Sequence, residues 1–167
     1  MSKLFKILCA LCLITLSSST TLSFYIVSDT SNWLEGPNTP SGAFALVMAT
    51  GSSWTATIIG ANWIWESSSG PVTPGYAYFY KYFLVPGTVT SATLEIAADG
   101  YFTTFLNNKN VNCDDTTSGR TASSKKTCTV DISLFTAGIN CFHVDFQNVA
   151  TGDCGLLYRL SILATYS

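Results

Sequence analysis

Apolar and polar residues alternate with a period of two along most of this chain. Phe142, Val144 and Phe146 share one parity, while Cys141, His143, Asp145 and Gln147 occupy the other. Tyr158, Leu160 and Ile162 are set in the same way against Leu157, Arg159 and Ser161. Leu94, Ile96 and Ala98 alternate with Thr93, Glu95 and Ala97, and shorter alternations run through Phe44, Leu46 and Met48 and through Trp54, Ala56 and Ile58. Successive side chains of a strand point to opposite faces, so each segment predicts a strand with one face turned to a core. Val, Ile, Thr, Tyr and Phe fill these segments, and glycine and proline punctuate them. Gly51-Ser52-Ser53 predicts a turn, and Asp99-Gly100 predicts a hairpin joining residues 94–98 to residues 101–106. About nine such strands predict an all-β chain folded as a two-sheet antiparallel β-sandwich.

The first 23 residues break the pattern. Lys3 and Lys6 precede an apolar run over residues 7–16, and small polar residues follow from Ser17 to Ser23. That order predicts a secretory signal peptide over residues 1–23, because the run is about half the roughly 20 apolar residues a membrane-spanning helix needs. Thr21 and Ser23 suit the peptidase for cleavage after Ser23, with Ser19 the second choice. Residues 24–167 are then one secreted β-sandwich domain with no membrane span.

Charge is sparse. Of 167 residues, 11% are charged, 47% apolar and 13% aromatic. Disordered chains need more charge and nucleic-acid binders need a basic balance, so both classes are excluded. The mean hydropathy of +0.31 owes much to the leader. Without residues 1–23 the chain carries ten carboxylates against six bases, a net charge of -4, and four of its six cysteines. Few charges guard its sheet edges, so homo-oligomerisation is an expectation. Cys113, Cys128, Cys141 and Cys154 are expected to form two disulfides in an oxidising compartment. Cys113 with Cys128 and Cys141 with Cys154 is the favoured pairing, since each closes a short polar loop. Cys128 with Cys141, flanking a possible hairpin, is its competitor. No Cys-x-x-Cys spacing supports a zinc site.

Ser53-Trp54, Gly60-Ala61-Asn62-Trp63-Ile64-Trp65-Glu66 and residues 79–87 are followed by residues 91–99, Asn107-Asn108, Val130-Asp131-Ile132, Gly138-Ile139-Asn140 and residues 155–160. This succession resembles the galactose-binding-like jelly-roll domains of many secreted proteins, over roughly residues 41–164. It departs from them where the usual Asp-Asn turn is Asp99-Gly100 and the usual Asn-Gly turn is Asn107-Asn108. The resemblance implies a jelly roll, a fold that serves lectins, enzyme appendages and coat proteins alike, so function rests on the site.

The leading candidate site is the ladder Tyr76, Tyr78, Tyr80 and Tyr82. With Phe79 and Phe83 turned inward, the tyrosines form an outer strip, and Lys81 points inward at an edge, snorkels or marks a bulge. Aromatic rings stack on the C–H faces of sugars while polar tips bond their hydroxyls. Glycan binding is therefore expected through Tyr78, Tyr80 and Tyr82, or through loops near Asp99 and Asn107. Trp63 and Trp65 are expected in the core.

Asp29, Asn32, Glu35, Asp99, Asp114, Asp115, Asp131 and Asp153 offer hard oxygen ligands, but no Asp-x-Asp-x-Asp loop occurs; a structural calcium ion is the one cofactor to consider. Asp99, Asp131 and Asp153 also suit turn and cap roles. The loop between Cys113 and Cys128, with Asp114, Asp115, Arg120, Lys125 and Lys126, suits either recognition or a solvated insertion. His143 and Asp145 share a strand face, yet neither a nucleophile turn nor a free cysteine accompanies them, so no catalysis is expected. The sequence reads as a secreted, non-catalytic recognition module for glycan. The alternative is an assembly subunit of an extracellular layer, joined through protein contacts on the same tyrosine face.

Overall fold

A computed structural model describes residues 19–50, 54–69, 73–116, 122–149 and 151–166. Twelve strands occur among them: β1 (Thr20–Val27), β2 (Trp33–Gly36), β3 (Thr39–Phe44), β4 (Leu46–Val47), β5 (Ile64–Trp65), β6 (Gly75–Val85), β7 (Thr88–Ala98), β8 (Tyr101–Leu106), β9 (Lys109–Asn110), β10 (Lys126–Thr129), β11 (Gly138–Asn148) and β12 (Leu156–Tyr166). One 3₁₀ turn, Ile132–Leu134, is capped by Asp131, whose carboxylate accepts the Ser133 N–H. The strands form two antiparallel sheets. The first has the order β10-β7-β12-β5-β4 with β1 also paired to β12, and the second the order β3-β2-β6-β11-β8-β9.

The long strands alternate between the sheets: β6, β8 and β11 lie in the second, and β7, β10 and β12 in the first. Asp99-Gly100 therefore does not close the expected hairpin. It carries the chain across the sandwich, so that β7 pairs with β10 and β12 while β8 pairs with β9 and β11. Gly100 passes so close to the partner sheet that a Cβ would lie 2.5 Å from Phe146 Cζ. The tight hairpin is instead Asn107-Asn108 between β8 and β9, with both φ angles positive (53° and 64°). Asparagine tolerates that left-handed backbone, which a type I′ turn requires at both central positions.

Parity places the core as expected along β6, β11 and β12, where Phe79, Phe83, Phe142, Val144, Phe146, Tyr158, Leu160 and Ile162 are buried. It fails at one sheet crossing. Phe44 and Leu46 are exposed, because the chain leaves the second sheet at the end of β3 and enters the first at β4. Buried Ala45 is the pivot, donating its N–H to Asn32 O at 2.9 Å. Trp54, Ala56 and Ile58 are buried as expected but join no ladder, and Gly51-Ser52-Ser53 lies outside the described residues. Rings from both sheets interlock in the centre: Trp65 meets Phe79 and Phe146 at 5.7 and 5.2 Å between centroids, and Phe142 meets Tyr158 at 4.9 Å. Each such side chain contributes roughly 1.5–3 kcal/mol by leaving water. Buried Tyr158 keeps its hydroxyl satisfied by accepting from Asn32 Nδ2 at 2.7 Å.

Cys113 and Cys128 are joined, which ties the chain just beyond β9 at the edge of one sheet to β10 at the edge of the other. The expected partner bridge between Cys141 and Cys154 is not formed, and both thiols are free. Cys141 lies on the outer face of β11, seven residues before Asn148, a rise of roughly 23 Å along the strand. Cys154 is buried at the end of the sandwich where Asp99 N–H donates to Gly155 O. A disulfide requires Cα atoms within roughly 7 Å, so this pairing is out of reach. The expected leader boundary after Ser23 falls inside β1, whereas the second choice, after Ser19, coincides with its start.

Candidate functional site

The outer face of the second sheet is built around β6. Its strict alternation sends Ala77, Phe79, Phe83 and Val85 into the core and Tyr76, Tyr78, Tyr80 and Tyr82 outward. Tyr76, Tyr78 and Tyr82 are 59%, 37% and 69% exposed, and Tyr80 is half-buried. Pairing with β11 runs without a break from Gly138 opposite Val85 to Asn148 opposite Gly75, so no bulge disturbs the strip. Lys81 points inward and reaches the sandwich edge to meet Asp29.

Register then aligns a second row of rings across the strands. Trp33 of β2 lies opposite Tyr80, Tyr80 opposite His143 of β11, and His143 opposite Phe105 of β8. At strand spacings near 4.8 Å the row covers roughly 14 Å. His143 stacks on Phe105 at 4.5 Å and 10°, and lies 5.5 Å from the Tyr80 ring. Phe44 extends the row with an edge contact to Trp33 at 5.5 Å. Trp33 covers Gly42 on β3, where φ is +79° and a Cβ would fall 2.3 Å from the indole. Glycine there lets the indole lie flat on the sheet.

Two shallow depressions flank the strip. One, of about 460 Å³, is bordered by Tyr76, Tyr78, Tyr101, Thr103, Asp145 and Gln147. The other, of about 390 Å³, is bordered by Glu35, Pro37, Pro40, Tyr76 and Tyr78. Tyr76 and Tyr78 are the ridge between them. Burial, then the Glu35 and Asp145 carboxylates, push the Tyr80 hydroxyl above its ordinary pKa, so it stays a hydrogen-bond donor at neutral pH. Such a surface offers ring faces for stacking and phenol, carboxylate and amide groups for hydroxyls.

The other sequence candidates lie elsewhere. Asn107 sits at the far end of β8 from Tyr101, and its side chain is committed within the fold: it donates to Leu134 O and Asn140 Oδ1 and accepts the Cys141 N–H at 2.9 Å. Asp99 occupies the sheet crossing and borders neither depression. The calcium candidates are scattered. Asp29 is held by Lys81 and Ser31, and Asp114 by Thr104 and Asn110. Among the described residues no three His, Cys, Asp or Glu side chains converge on a metal position. No helix there is long and apolar enough to cross a membrane.

Cys141 is free, contrary to the expectation of its oxidation, and shares an outer face with His143 and Asp145. Burial raises its thiol pKa, and the thiol contacts Phe142 O at 3.9 Å. His143 Nε2 is 3.7 Å from Asp145 Oδ1, beyond hydrogen-bond length, and its imidazole is held between rings;. Phe105, Tyr101 and Gln147 are site residues that the sequence did not single out, and Glu35, weighed there only as a calcium ligand, joins them beside Tyr78. The parity of β8, with Phe102, Thr104 and Leu106 inward, carried the signal for Phe105 and Tyr101.

No family model and no curated protein matches this chain. Solved structures do. A Streptomyces avermitilis alpha-L-rhamnosidase complexed with L-rhamnose aligns at 19% identity and a TM-score of 0.55, covering 73% of this chain. The chain spans 13% of that enzyme's length. A family 35 carbohydrate binding module from Clostridium thermocellum aligns at 11% identity and a TM-score of 0.45, covering 83% of this chain and 97% of the module. With the two sheets and their crossings described above, the fold of this chain is a two-sheet antiparallel β-sandwich, shared with the aligned part of the rhamnosidase and consistent with the galactose-binding-like jelly roll that the sequence resembles.

Proposed function

We propose that this chain is a secreted, non-catalytic recognition module that binds glycan across the outer face of its second sheet. The observation that carries this reading is the crossing of two aromatic rows at Tyr80: the tyrosine strip along β6 and the row Trp33, Tyr80, His143 and Phe105 across four strands. A flat sheet studded with rings and rimmed by hydroxyl, amide and carboxylate groups suits the ring planes and hydroxyls of a saccharide. The carbohydrate-processing and carbohydrate-binding proteins that share the sandwich support the same reading. The high thiol pKa of Cys141 and the packed imidazole of His143 favour binding over turnover;.

A glycan array probed with the full mature chain, with and without calcium, tests this. Binding to a defined sugar class is expected, with affinity falling about tenfold or more in Tyr78→Ala and Tyr80→Ala while the fold is kept. One observation favours the assembly reading instead. Leu84 and Ile139, paired across β6 and β11 beyond Tyr82, are 63% and 74% exposed and extend the face with apolar surface;. A concentration-dependent oligomer by light scattering, together with an empty array, overturns glycan binding in favour of assembly.

A further inference from the structure

We propose, on the basis of the glycan-binding reading, that the face around Tyr78 selects sugars bearing a free ammonium group and rejects acidic sugars. The register places Glu35 of β2 directly opposite Tyr78 on one side and Asp145 of β11 directly opposite it on the other. An exposed ring thus stands between two carboxylates on adjacent strands, with directly opposed Cβ atoms roughly 5 Å apart. Each carboxylate borders a different depression, and Tyr78 borders both.

Neither acid is neutralised by a lysine or arginine among the described residues. Among the described residues the one basic group within ion-pair reach of Asp145 is His143, at 3.7 Å, and burial lowers the pKa of that imidazole and so favours its neutral form. The described bases are engaged elsewhere. Lys81 turns inward to Asp29, Lys125 and Arg159 hold Glu95, Lys126 donates to Asp114 O, and Lys109 lies beside Asp131. The ring face and the two acids therefore act in the same direction. A cation is drawn to the face of a tyrosine ring, and a carboxylate accepts a charge-assisted hydrogen bond from an ammonium. The carboxylate of a uronic acid placed there meets two like charges.

Titration calorimetry with the full mature chain separates these cases, using oligomers of equal length: glucosamine (amine), N-acetylglucosamine (neutral) and galacturonic acid (acidic). At low salt, with the amine protonated, the glucosamine oligomer is expected to bind about tenfold more tightly than its acetylated counterpart, and the galacturonic acid oligomer most weakly. The preference shrinks as salt is raised. In the double variant Glu35→Gln, Asp145→Asn, with folding verified by circular dichroism, the amine and acetylated oligomers are expected to bind equally. Equal binding of amine and acidic oligomers to the native chain, or a preference that survives the double substitution, overturns the selectivity and leaves glycan binding standing. Failure of all three oligomers, with an empty glycan array, overturns both.

Discussion

Lys81 Nζ lies 2.6 Å from Asp29 Oδ1, so a lysine on the inward parity of β6 is tied to the loop that leaves β1 in the opposite sheet. Lys81 also contacts the Ser31 hydroxyl, and Ser31 N–H donates to Asp29 at 2.7 Å. Burial pushes the Asp29 carboxyl up, but the bonds from Lys81 and Ser31 outweigh it and hold the group below its ordinary value of 3.8. A carboxylate with a depressed folded pKa adds stability above its unfolded value and loses it as the pH falls through the folded one. Lys81→Met is expected to cost about 1–3 kcal/mol at neutral pH, between the values for exposed and buried pairs. Urea unfolding of both proteins should show that cost shrinking as the pH drops below 3.8.

His143, the only histidine, is neutral at pH 7, because burial lowers its pKa from 6.5 more than Asp145 raises it. The unfolded chain therefore binds the proton first on acidification. Stability contributed by the neutral imidazole is complete above 6.5 and declines as the pH falls from there toward the folded pKa;. Titration of its ring resonances by NMR should give a midpoint below 6.5. His143→Phe, which keeps a ring beside Phe105, should flatten stability over that pH range.

The bridge between Cys113 and Cys128 closes a loop with a sequence separation of 15. Its removal in Cys113→Ala, Cys128→Ala is expected to cost about 3 kcal/mol, read as a shift in the denaturation midpoint. Thiol labelling should divide the other two cysteines. Half-buried Cys141 reacts slowly in the native protein, whereas buried Cys154, whose thiol is pushed well up by burial, reacts only on unfolding;. Mass analysis showing Cys141 joined to Cys154 in the native protein contradicts this arrangement.

We further predict that the mature chain begins at Thr20. Cleavage after Ser19 leaves β1 whole, with Thr20 opposite Tyr166, while cleavage after Ser23 strips four of its eight paired positions. Intact-mass measurement of the exported protein distinguishes the two, and a chain beginning at Phe24 refutes the prediction.

Strand identity and facing were legible wherever one strand stays in one sheet, as in β6, β11 and β12, because burial on one side imposes the period of two. They were not legible where the chain changes sheets. Asp99-Gly100 has the composition of a hairpin turn, and only the distant partners of β7 and β8 decide that it is a crossing. Phe44 and Leu46 keep an apolar alternation, yet both face outward about buried Ala45, because the chain changes sheets there. The tyrosine strip could be seen within one segment. Its alignment with Trp33, His143 and Phe105 could not, because register between strands is a long-range property. Asn107 illustrates the converse: a polar turn residue looks available for a ligand until its amide is seen serving Leu134, Asn140 and Cys141.

The transverse row draws its rings from positions 33, 80, 105 and 143, so no continuous stretch of the chain contains it. A protease fragment or a partly folded intermediate presents some of these rings but never their alignment. The recognition proposed for this face is consequently all-or-none with respect to folding, and a ligand bound as proposed stabilises the whole sandwich rather than one strand. The row of rings is thus a property of the finished sandwich alone, and only a completely folded molecule displays it.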